Sequence, residues 1–205
     1  KLLERLDYKV VAGSDNIEIT ELVNDSRKVV PDSAFVCISG AVSDGHQYVK
    51  DVAEKGAAAV IVEKDVEVPE GLTVIKVENT RYALALMSAA YFGYPAEKLK
   101  TIGITGTKGK TTTTYMVKAI LEEVGHKVGL IGTIEAIIGD KTIPSNNTTP
   151  ESYTIQKYFA QMVEAGCDCV VMEVSSQGLM LHRTAGIMFD IGIFTNLGED
   201  HNWTE

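Results

Sequence analysis

Short apolar runs alternate with helix-like stretches along the first half of the chain. The stretch GHQYVKDVAEKG (45–56) predicts a helix that ends at its glycine, and a second helix is predicted from about Asn79 to Phe92. The stretches before the first helix and between the two helices have the pattern of half-buried or buried strands. This βα alternation predicts a mostly parallel sheet with helices on its faces. The predicted strands are 17–23, 34–40, 57–63 and 72–77.

A second α/β segment follows Gly93-Tyr94-Pro95, which interrupts the pattern. We place a domain boundary at residues 94–99, giving domains 1–97 and 98–205. Helices are predicted at 110–124 and 151–166, and a hairpin over 135–145 turning at Gly139-Asp140. Strands are predicted at 101–105, 127–133, 169–176 and 190–198, the last two of them buried. The predicted fold is therefore α/β, a small N-terminal α/β domain followed by a parallel-sheet domain.

Composition and charge narrow the classes of function. The 205 residues are 45% hydrophobic and 23% charged, which suits one large or two small domains with real cores. A net charge of −9 argues against a broad nucleic-acid surface, although a small anion can still bind through local backbone amides. No apolar run approaches the roughly 20 residues that cross a bilayer, and KLLERLDYKV is not a signal peptide. No nucleic-acid or membrane partner is expected.

The cysteines are Cys37, Cys167 and Cys169, an odd number without a disulfide pattern. Cys167 and Cys169 form a C-x-C that lacks the second pair a zinc site would want. Reduced thiols in a cytoplasmic protein, with Cys169 inside a strand, are the expectation.

The stretch GITGTKGKTTTT (103–114) lies between a predicted strand and a predicted helix. Glycines let a backbone wrap closely around phosphates, while loop N–H groups and the helix N-terminus point at the anion. In this arrangement Lys110 reaches the outer phosphates and the Thr111 hydroxyl ligates Mg²⁺. The spacing G-x-x-G-x-x-G-K-T differs from the standard P-loop, because position 104 is Ile. We predict a P-loop-type ATP site and disfavour a motor or signalling ATPase.

Several motifs in order along the chain resemble one family. GITGTKGKTTTT is similar to the ATP loop of the Mur ligases, the ATP-dependent amide ligases of peptidoglycan assembly. DSRKVVPDSAFVCISG and DGHQYV resemble the N-terminal, UDP-binding domain of the ligase that adds the third amino acid. NNTTPES, MEVSSQGLMLHR and FTNLGEDH resemble its central domain.

The resemblance implies ATP and Mg²⁺ as cofactors, and phosphorylation of a substrate carboxylate to an acyl phosphate that an amine then attacks. It assigns catalytic roles to Lys110, Glu173 and His201, and the metal to Thr111, Glu173 and His201. From the residues alone, Glu173 follows four apolar residues and is either a buried ligand or an acid emerging into solvent. The implied ATP-binding residues are Gly106, Thr107, Lys108, Gly109, Lys110, Thr111 and Thr112.

The implied substrates are UDP-N-acetylmuramoyl-L-alanyl-D-glutamate and an amino acid, either meso-diaminopimelate or L-lysine. Structural roles remain as alternatives: capping of the following helix for residues 147–149, a capping or surface position for His46, and an exposed loop cation for Arg183. Gln177 stands where the family often has His, and Leu181 where Gln often contacts substrate. The implied substrate-binding residues are Ser26, Arg27, Asp44, Gly45, His46, Asn147, Thr148, Thr149, Ser175 and Arg183.

The family's central domain continues beyond the residue matching His201, and a third domain binds the amino acid. We therefore expect a truncated piece of a monomeric ligase, inactive by itself. Two alternatives remain, namely the next ligase of the pathway, which adds a dipeptide, and a non-catalytic module that binds nucleotide or UDP-sugar peptide.

Overall fold

The computed structural model describes residues 1–40 and 43–198. They form two compact units, Lys1–Met87 and a second that begins at Ser88. This division falls inside the second predicted helix, and the boundary between functional domains after residue 97 stays a prediction.

The first unit is built on a five-stranded sheet in the order β1-β5-β4-β3-β2. Strands β2 to β5 are parallel to their neighbours, and β1 runs antiparallel to β5 along one edge. The strands are β1 (Lys9–Ala12), β2 (Leu22–Val23), β3 (Ala34–Val36), β4 (Ala59–Val62) and β5 (Thr73–Lys76). The helices are α1 (Val49–Glu54) and α2 (Thr80–Tyr91), with 3₁₀ turns at Ser26–Lys28 and Gly45–Tyr48.

Several predictions in this unit need correction. The strand predicted at 17–23 is limited to β2, because the Thr20 N–H turns away to the carbonyl of Asp32. The helix predicted at 45–56 begins as a 3₁₀ turn, since the Asp44 carboxylate accepts the N–H of His46 and tightens the first turn. Strand β1 was not predicted, because only one of its faces is even half-buried and its apolar signal is weak.

The second unit holds a six-stranded sheet in the order β11-β6-β10-β7-β8-β9. The first four are parallel, and β8 and β9 form an antiparallel hairpin turning at Gly139-Asp140, as predicted. The strands are β6 (Lys100–Thr105), β7 (Val128–Ile131), β8 (Glu135–Ile138), β9 (Lys141–Pro144), β10 (Cys169–Glu173) and β11 (Ile191–Phe194). The helices are α3 (Lys110–Glu123), α4 (Ser152–Glu164) and α5 (Ser176–Met180), with a 3₁₀ turn at Pro95–Lys98.

The second unit buries an apolar core on each face of its sheet. Phe159 and Met162 of α4 pack with Val170 and Met172 on one face. On the other face, side chains of α3 pack against β6 and the alternate residues of β10. Because β10 is covered on both faces, its sequence is a continuous apolar run. The α/β fold class is confirmed.

Strand β11 corrects a second prediction. Within the part of the chain that the structure describes, it pairs with β6 alone at an edge of the sheet, and Ile191 and Phe194 are 52% and 63% exposed rather than buried. An apolar run does not distinguish a central strand from an edge strand. Among the described residues, no helix is both long enough and apolar enough to cross a membrane.

Candidate functional site

The glycine loop connects β6 directly to α3 and leaves the start of the helix open. Gly109 is the N-cap with a φ of 81°, a left-handed conformation that glycine adopts without strain. The first helical bond runs from the Thr113 N–H to the Gly109 carbonyl. The amides of residues 109–112 precede that bond and have no acceptor within the helix, so they present a positive pole to an anion.

The loop is held from the side by the end of β11. The N–H of Thr107 donates to the Asn196 carbonyl at 3.0 Å, and the N–H of Lys108 donates to Asn196 Oδ1 at 2.9 Å. Thr195 Oγ1 donates to the Lys108 carbonyl at 2.7 Å. Sequence reasoning missed Thr195 and Asn196, because only the adjacency of β11 and β6 brings them to the loop.

Lys110 lies at the first position of α3 and folds back over the loop. Its Nζ donates to the carbonyls of Gly106 at 2.7 Å and Thr107 at 3.3 Å. The predicted phosphate-binding ammonium is therefore held at the loop and only has to exchange carbonyl acceptors for phosphate oxygens.

Glu173 ends β10 with its side chain fully buried, which excludes the reading of an acid emerging into solvent. Its Oε2 accepts the hydroxyls of Thr111 and Thr133, each at 3.0 Å, and its Oε1 accepts the Thr133 N–H at 2.9 Å. These donors are neutral. A buried carboxylate costs several kcal/mol unless a cation compensates it. The oxygen donors of Glu173 and Thr111 suit Mg²⁺, and residues 201–205, including the predicted ligand His201, lie outside the described residues.

A second hydroxyl–carboxylate pair lies one turn further along α3. Tyr115 donates to Glu135 Oε1 at 2.7 Å, and burial followed by this hydrogen bond raises the pKa of Tyr115 to about 12. Thr111 and Tyr115 are four residues apart and share a face of the helix. That face therefore anchors α3 to both β10 and β8, and sequence reasoning missed Tyr115, Thr133 and Glu135.

The predicted substrate loop contacts the end of β10 through Thr149. Its buried hydroxyl donates to the Glu173 carbonyl at 3.0 Å and accepts the Ser175 N–H at 2.9 Å. Ser175 in turn caps α5 by accepting the N–H of Gly178. Arg183 donates to the Thr149 carbonyl at 2.9 Å and pairs with Glu151 at 2.6 Å. Arg183 is therefore a mostly buried structural cation rather than an exposed one.

The Thr149→Val variant is expected to lower the free energy of unfolding by about 2–3 kcal/mol, because a buried carbonyl and a buried N–H lose their partner. Urea unfolding measures this loss. Thr148→Val is the matched control: the Thr148 hydroxyl contacts only the exposed side of Thr133 at 3.0 Å, and a loss below about 1 kcal/mol is expected. Equal losses in the two variants would contradict the assigned role of Thr149.

One cleft brings the ATP loop and the substrate motif together. It has a volume of about 700 Å³ and is lined by the loop residues Gly106 and Lys110, by Thr148, and by Ser175 with Gln177. Leu181 is half-buried, whereas Asn147, Thr112 and Lys108 are exposed. The cleft is thus lined both by residues predicted to bind phosphate and by hydroxyl and amide groups of the predicted substrate motif.

In the first unit, the predicted substrate residues follow the carboxyl ends of neighbouring parallel strands. Ser26 and Arg27 begin a 3₁₀ turn after β2 that Asp25 caps. The Arg27 guanidinium, 87% exposed, forms a two-pronged pair with Asp25 at 2.9 and 2.8 Å. This pair lowers the pKa of Asp25 to about 2. The side chain of Arg27 is thereby oriented while its remaining donors face solvent.

After β3, the loop with Asp44, Gly45 and His46 is rigidly built. A Cβ on Gly45 would lie 2.7 Å from the Ile38 amide nitrogen, so the close approach requires glycine. His46 Nε2 accepts the Glu63 N–H at 3.0 Å, which places the ring proton on Nδ1 opposite Asp44 Oδ1 at 2.6 Å. Lys64 and His46 lower the pKa of Asp44. Both His46 nitrogens are therefore hydrogen-bonded within the protein, and contact between its ring and the substrate stays a prediction.

A parallel sheet with a glycine loop before a helix, an open helix start and a buried carboxylate on the adjacent strand defines a phosphate-binding α/β protein. Two family models that match the sequence specify which family of phosphate-binding proteins this is. The Mur ligase catalytic domain matches residues 18–92, and the Mur ligase middle domain matches residues 104–202. The chain belongs to the Mur ligase family.

Curated proteins that are similar to this chain carry names of ligases of the same family. A Clostridium perfringens protein named UDP-N-acetylmuramoyl-L-alanyl-D-glutamate–2,6-diaminopimelate ligase is 50% identical over 98% of this chain and 41% of its own length. A Clostridium acetobutylicum protein of the same name, numbered 1, is 50% identical over 98% of this chain and 42% of its own. The chain thus spans about 40% of the length of these relatives.

Solved structures share the fold. A structure described as UDP-N-acetylmuramoyl-L-alanyl-D-glutamate–2,6-diaminopimelate ligase superposes with a TM-score of 0.80 at 23% identity, covering 96% of this chain and 40% of that one. The MurF ligase from Thermotoga maritima in complex with ADP gives a TM-score of 0.57 at 22% identity, covering 88% of this chain and 38% of that one. At these identities the likeness concerns the fold alone.

Proposed function

We propose that this chain is the UDP-binding and ATP-binding part of a MurE-type ligase. The parent enzyme joins an amino acid to UDP-N-acetylmuramoyl-L-alanyl-D-glutamate at the expense of ATP. The observation that carries the proposal is the 50% identity, over 98% of the chain, to relatives named for that reaction. Their names favour 2,6-diaminopimelate over L-lysine as the amino acid.

The glycine loop would hold the ATP phosphates. The free amides of residues 109–112 face the anion, and Lys110 lies where it would stabilise negative charge on the transferred phosphoryl group. Thr111 and Glu173 would hold Mg²⁺, with His201 as a further ligand by family resemblance. The ion would neutralise charge on the phosphates when bound.

The carboxylate that receives the phosphoryl group would enter the 700 Å³ cleft. Thr148, Ser175 and Gln177 supply hydroxyl and amide groups to the cleft that Lys110 also lines, and they would orient the peptide end of the substrate. The Arg183–Glu151 pair holds the Thr149 carbonyl in place and so positions this wall. Phosphorylation of the carboxylate activates it for attack by the amine of the incoming amino acid.

The UDP end would bind in the first unit. Arg27 presents an oriented guanidinium whose free donors match a diphosphate, and Ser26 adds a hydroxyl beside it. The loop at residues 44–46 follows the adjacent strand and would form the second side of this site. We further propose a cytoplasmic monomer, in keeping with the three free buried thiols among the described residues.

Isothermal calorimetry of this chain with UDP-N-acetylmuramoyl-L-alanyl-D-glutamate tests the proposal. Ser26→Ala and Arg27→Ala are expected to weaken binding by about tenfold or more each, because each removes a hydrogen-bond donor from a charged ligand. Lys28→Ala is the matched control, an exposed cation in the same turn whose loss is expected to change affinity less than about threefold.

Two results would contradict the proposal. If the folded chain prefers the corresponding tripeptide precursor, the chain belongs to the dipeptide-adding ligase instead. If it binds neither precursor but still binds ATP, the substrate assignment is wrong and a nucleotide-binding module remains. Binding of the dipeptide precursor without ligation agrees with a chain that carries only part of the enzyme.

A further inference from the structure

Three metal-ligating side chains meet at the end of the second sheet opposite the ATP loop. They are His126, Asp168 and Cys169, and their ligand atoms all lie within 4.8 Å of one another. His126 precedes β7, Asp168 precedes β10, and Cys169 is the first residue of β10. Glu173 lies at the other end of β10, four residues or about 13 Å away, so this cluster is separate from the ATP site.

The backbone around the cluster is fixed by β-sheet pairing. The Asp168 N–H donates to the Lys127 carbonyl at 3.0 Å, and the Asp168 carbonyl accepts the Lys100 N–H at 2.8 Å. The Asp168 carboxylate accepts the Lys127 N–H at 2.9 Å through Oδ1 and contacts His126 Nδ1 at 2.7 Å through Oδ2. Both strands that flank β10 therefore hold Asp168, and Asp168 orients the imidazole.

Cys169 supplies the sulfur from the core side of the cluster. Its side chain is 3% exposed and packs with Val128 and Val171, whereas the side chains of His126 and Asp168 are 43% and 54% exposed. The thiol is thus the buried member of the cluster, and the imidazole and the carboxylate are its solvent-exposed members.

We propose that His126, Asp168 and Cys169 form a site for a thiophilic divalent cation of the Zn²⁺ class. One sulfur, one nitrogen and one oxygen ligand are a donor set that Zn²⁺ accepts, with a water in the fourth position. Tetrahedral bonds of about 2.0–2.3 Å place ligand atoms roughly 3.3–3.8 Å from one another. Ligand atoms that lie up to 4.8 Å apart therefore have to close by about 1 Å, and the 2.7 Å contact between His126 Nδ1 and Asp168 Oδ2 has to open.

Binding exchanges protons for the ion. The Cys169 thiol loses its proton to solvent as sulfur binds the metal, and a neutral His126 coordinates through one nitrogen and keeps its proton on the other. The bound ion would tie the turn before β7 to the start of β10.

Cobalt titration of the reduced, metal-free chain tests this site. Co²⁺ bound to a thiolate gives a near-ultraviolet charge-transfer band, whereas Co²⁺ bound to the oxygen ligands of Glu173 and Thr111 gives none. We expect the band to saturate at one equivalent of Co²⁺ and to disappear when one equivalent of Zn²⁺ displaces the cobalt.

Three variants locate the sulfur. Cys169→Ser is expected to abolish the band, and His126→Ala to weaken Co²⁺ binding by at least about tenfold. Cys167→Ser is the matched control, because Cys167 packs in the core on the other face of the sheet and should leave the band unchanged. His126 is exposed, so its variant is expected to fold.

The proposal is overturned if the wild-type chain shows no band, if the band persists in Cys169→Ser or disappears in Cys167→Ser, or if folded His126→Ala binds Co²⁺ as tightly as wild type.

Discussion

The Glu173→Gln variant is expected to lose nearly all of its stabilisation by Mg·ATP while keeping its stability without ligand. Glutamine keeps one oxygen acceptor for the donors of Thr111 and Thr133 and removes a buried charge, so its unfolding free energy should stay within about 1 kcal/mol of wild type. At a ligand concentration of about 100 times Kd the wild-type chain gains about 2.7 kcal/mol. A hundredfold loss of affinity reduces that gain to about 0.4 kcal/mol.

Urea unfolding with and without Mg·ATP measures both effects. Glu135→Gln is the matched control, since its amide oxygen still accepts the Tyr115 hydroxyl and no cation is assigned to it. Retained Mg·ATP stabilisation in Glu173→Gln, or equal losses in the two variants, would contradict the assignment of the cation to Glu173.

The Gly106→Ala variant is expected to lower the free energy of unfolding by about 3 kcal/mol and to abolish ATP binding. Gly106 has a φ of 133°, where an L side chain is strained by about 1–3 kcal/mol. In addition, its Cβ would lie 2.2 Å from Thr195 Oγ1 and 2.8 Å from the Asn196 carbonyl oxygen. The side chain would therefore push the β11 end away from the loop that it holds.

Gly109→Ala separates strain from steric overlap. Gly109 also has a positive φ, 81°, but a Cβ there would meet nothing within 4 Å among the described residues. A loss of only about 1 kcal/mol is expected for this variant. Urea unfolding measures both losses and calorimetry measures ATP affinity. Similar losses of stability in the two variants would show that the contact with Thr195 and Asn196 contributes little.

The charged residues of the first unit show how much of the candidate site can be predicted from residue types alone. The DSRKV motif resembled part of a UDP-binding domain, and the structure adds that Asp25 orients Arg27. His46 was predicted as either a ligand or a structural residue. Its Nδ1 contacts the nearby Asp44, but its Nε2 accepts the N–H of Glu63, which lies 17 positions away in sequence. Local sequence does not contain such partners.

The sequence by itself determined most of the element types, and it predicted a phosphate-binding loop and the roles of its residues. Helical and strand periodicity, glycine positions and the strand–loop–helix order are local properties, and the observed elements β6, α3, α4 and β10 follow them closely. The family resemblance implied that Glu173 is a metal ligand, whereas its position after four apolar residues left open a buried ligand or an acid emerging into solvent.

The tertiary structure alone decided the strand order, and with it every long-range partner. Placing β11 beside β6 brought Asn196 to the loop and left Ile191 exposed, while placing β7 beside β10 brought His126 to Cys169. The physical reason is that strand pairing and core packing depend on residues distant in sequence, whose joint burial outweighs local preference.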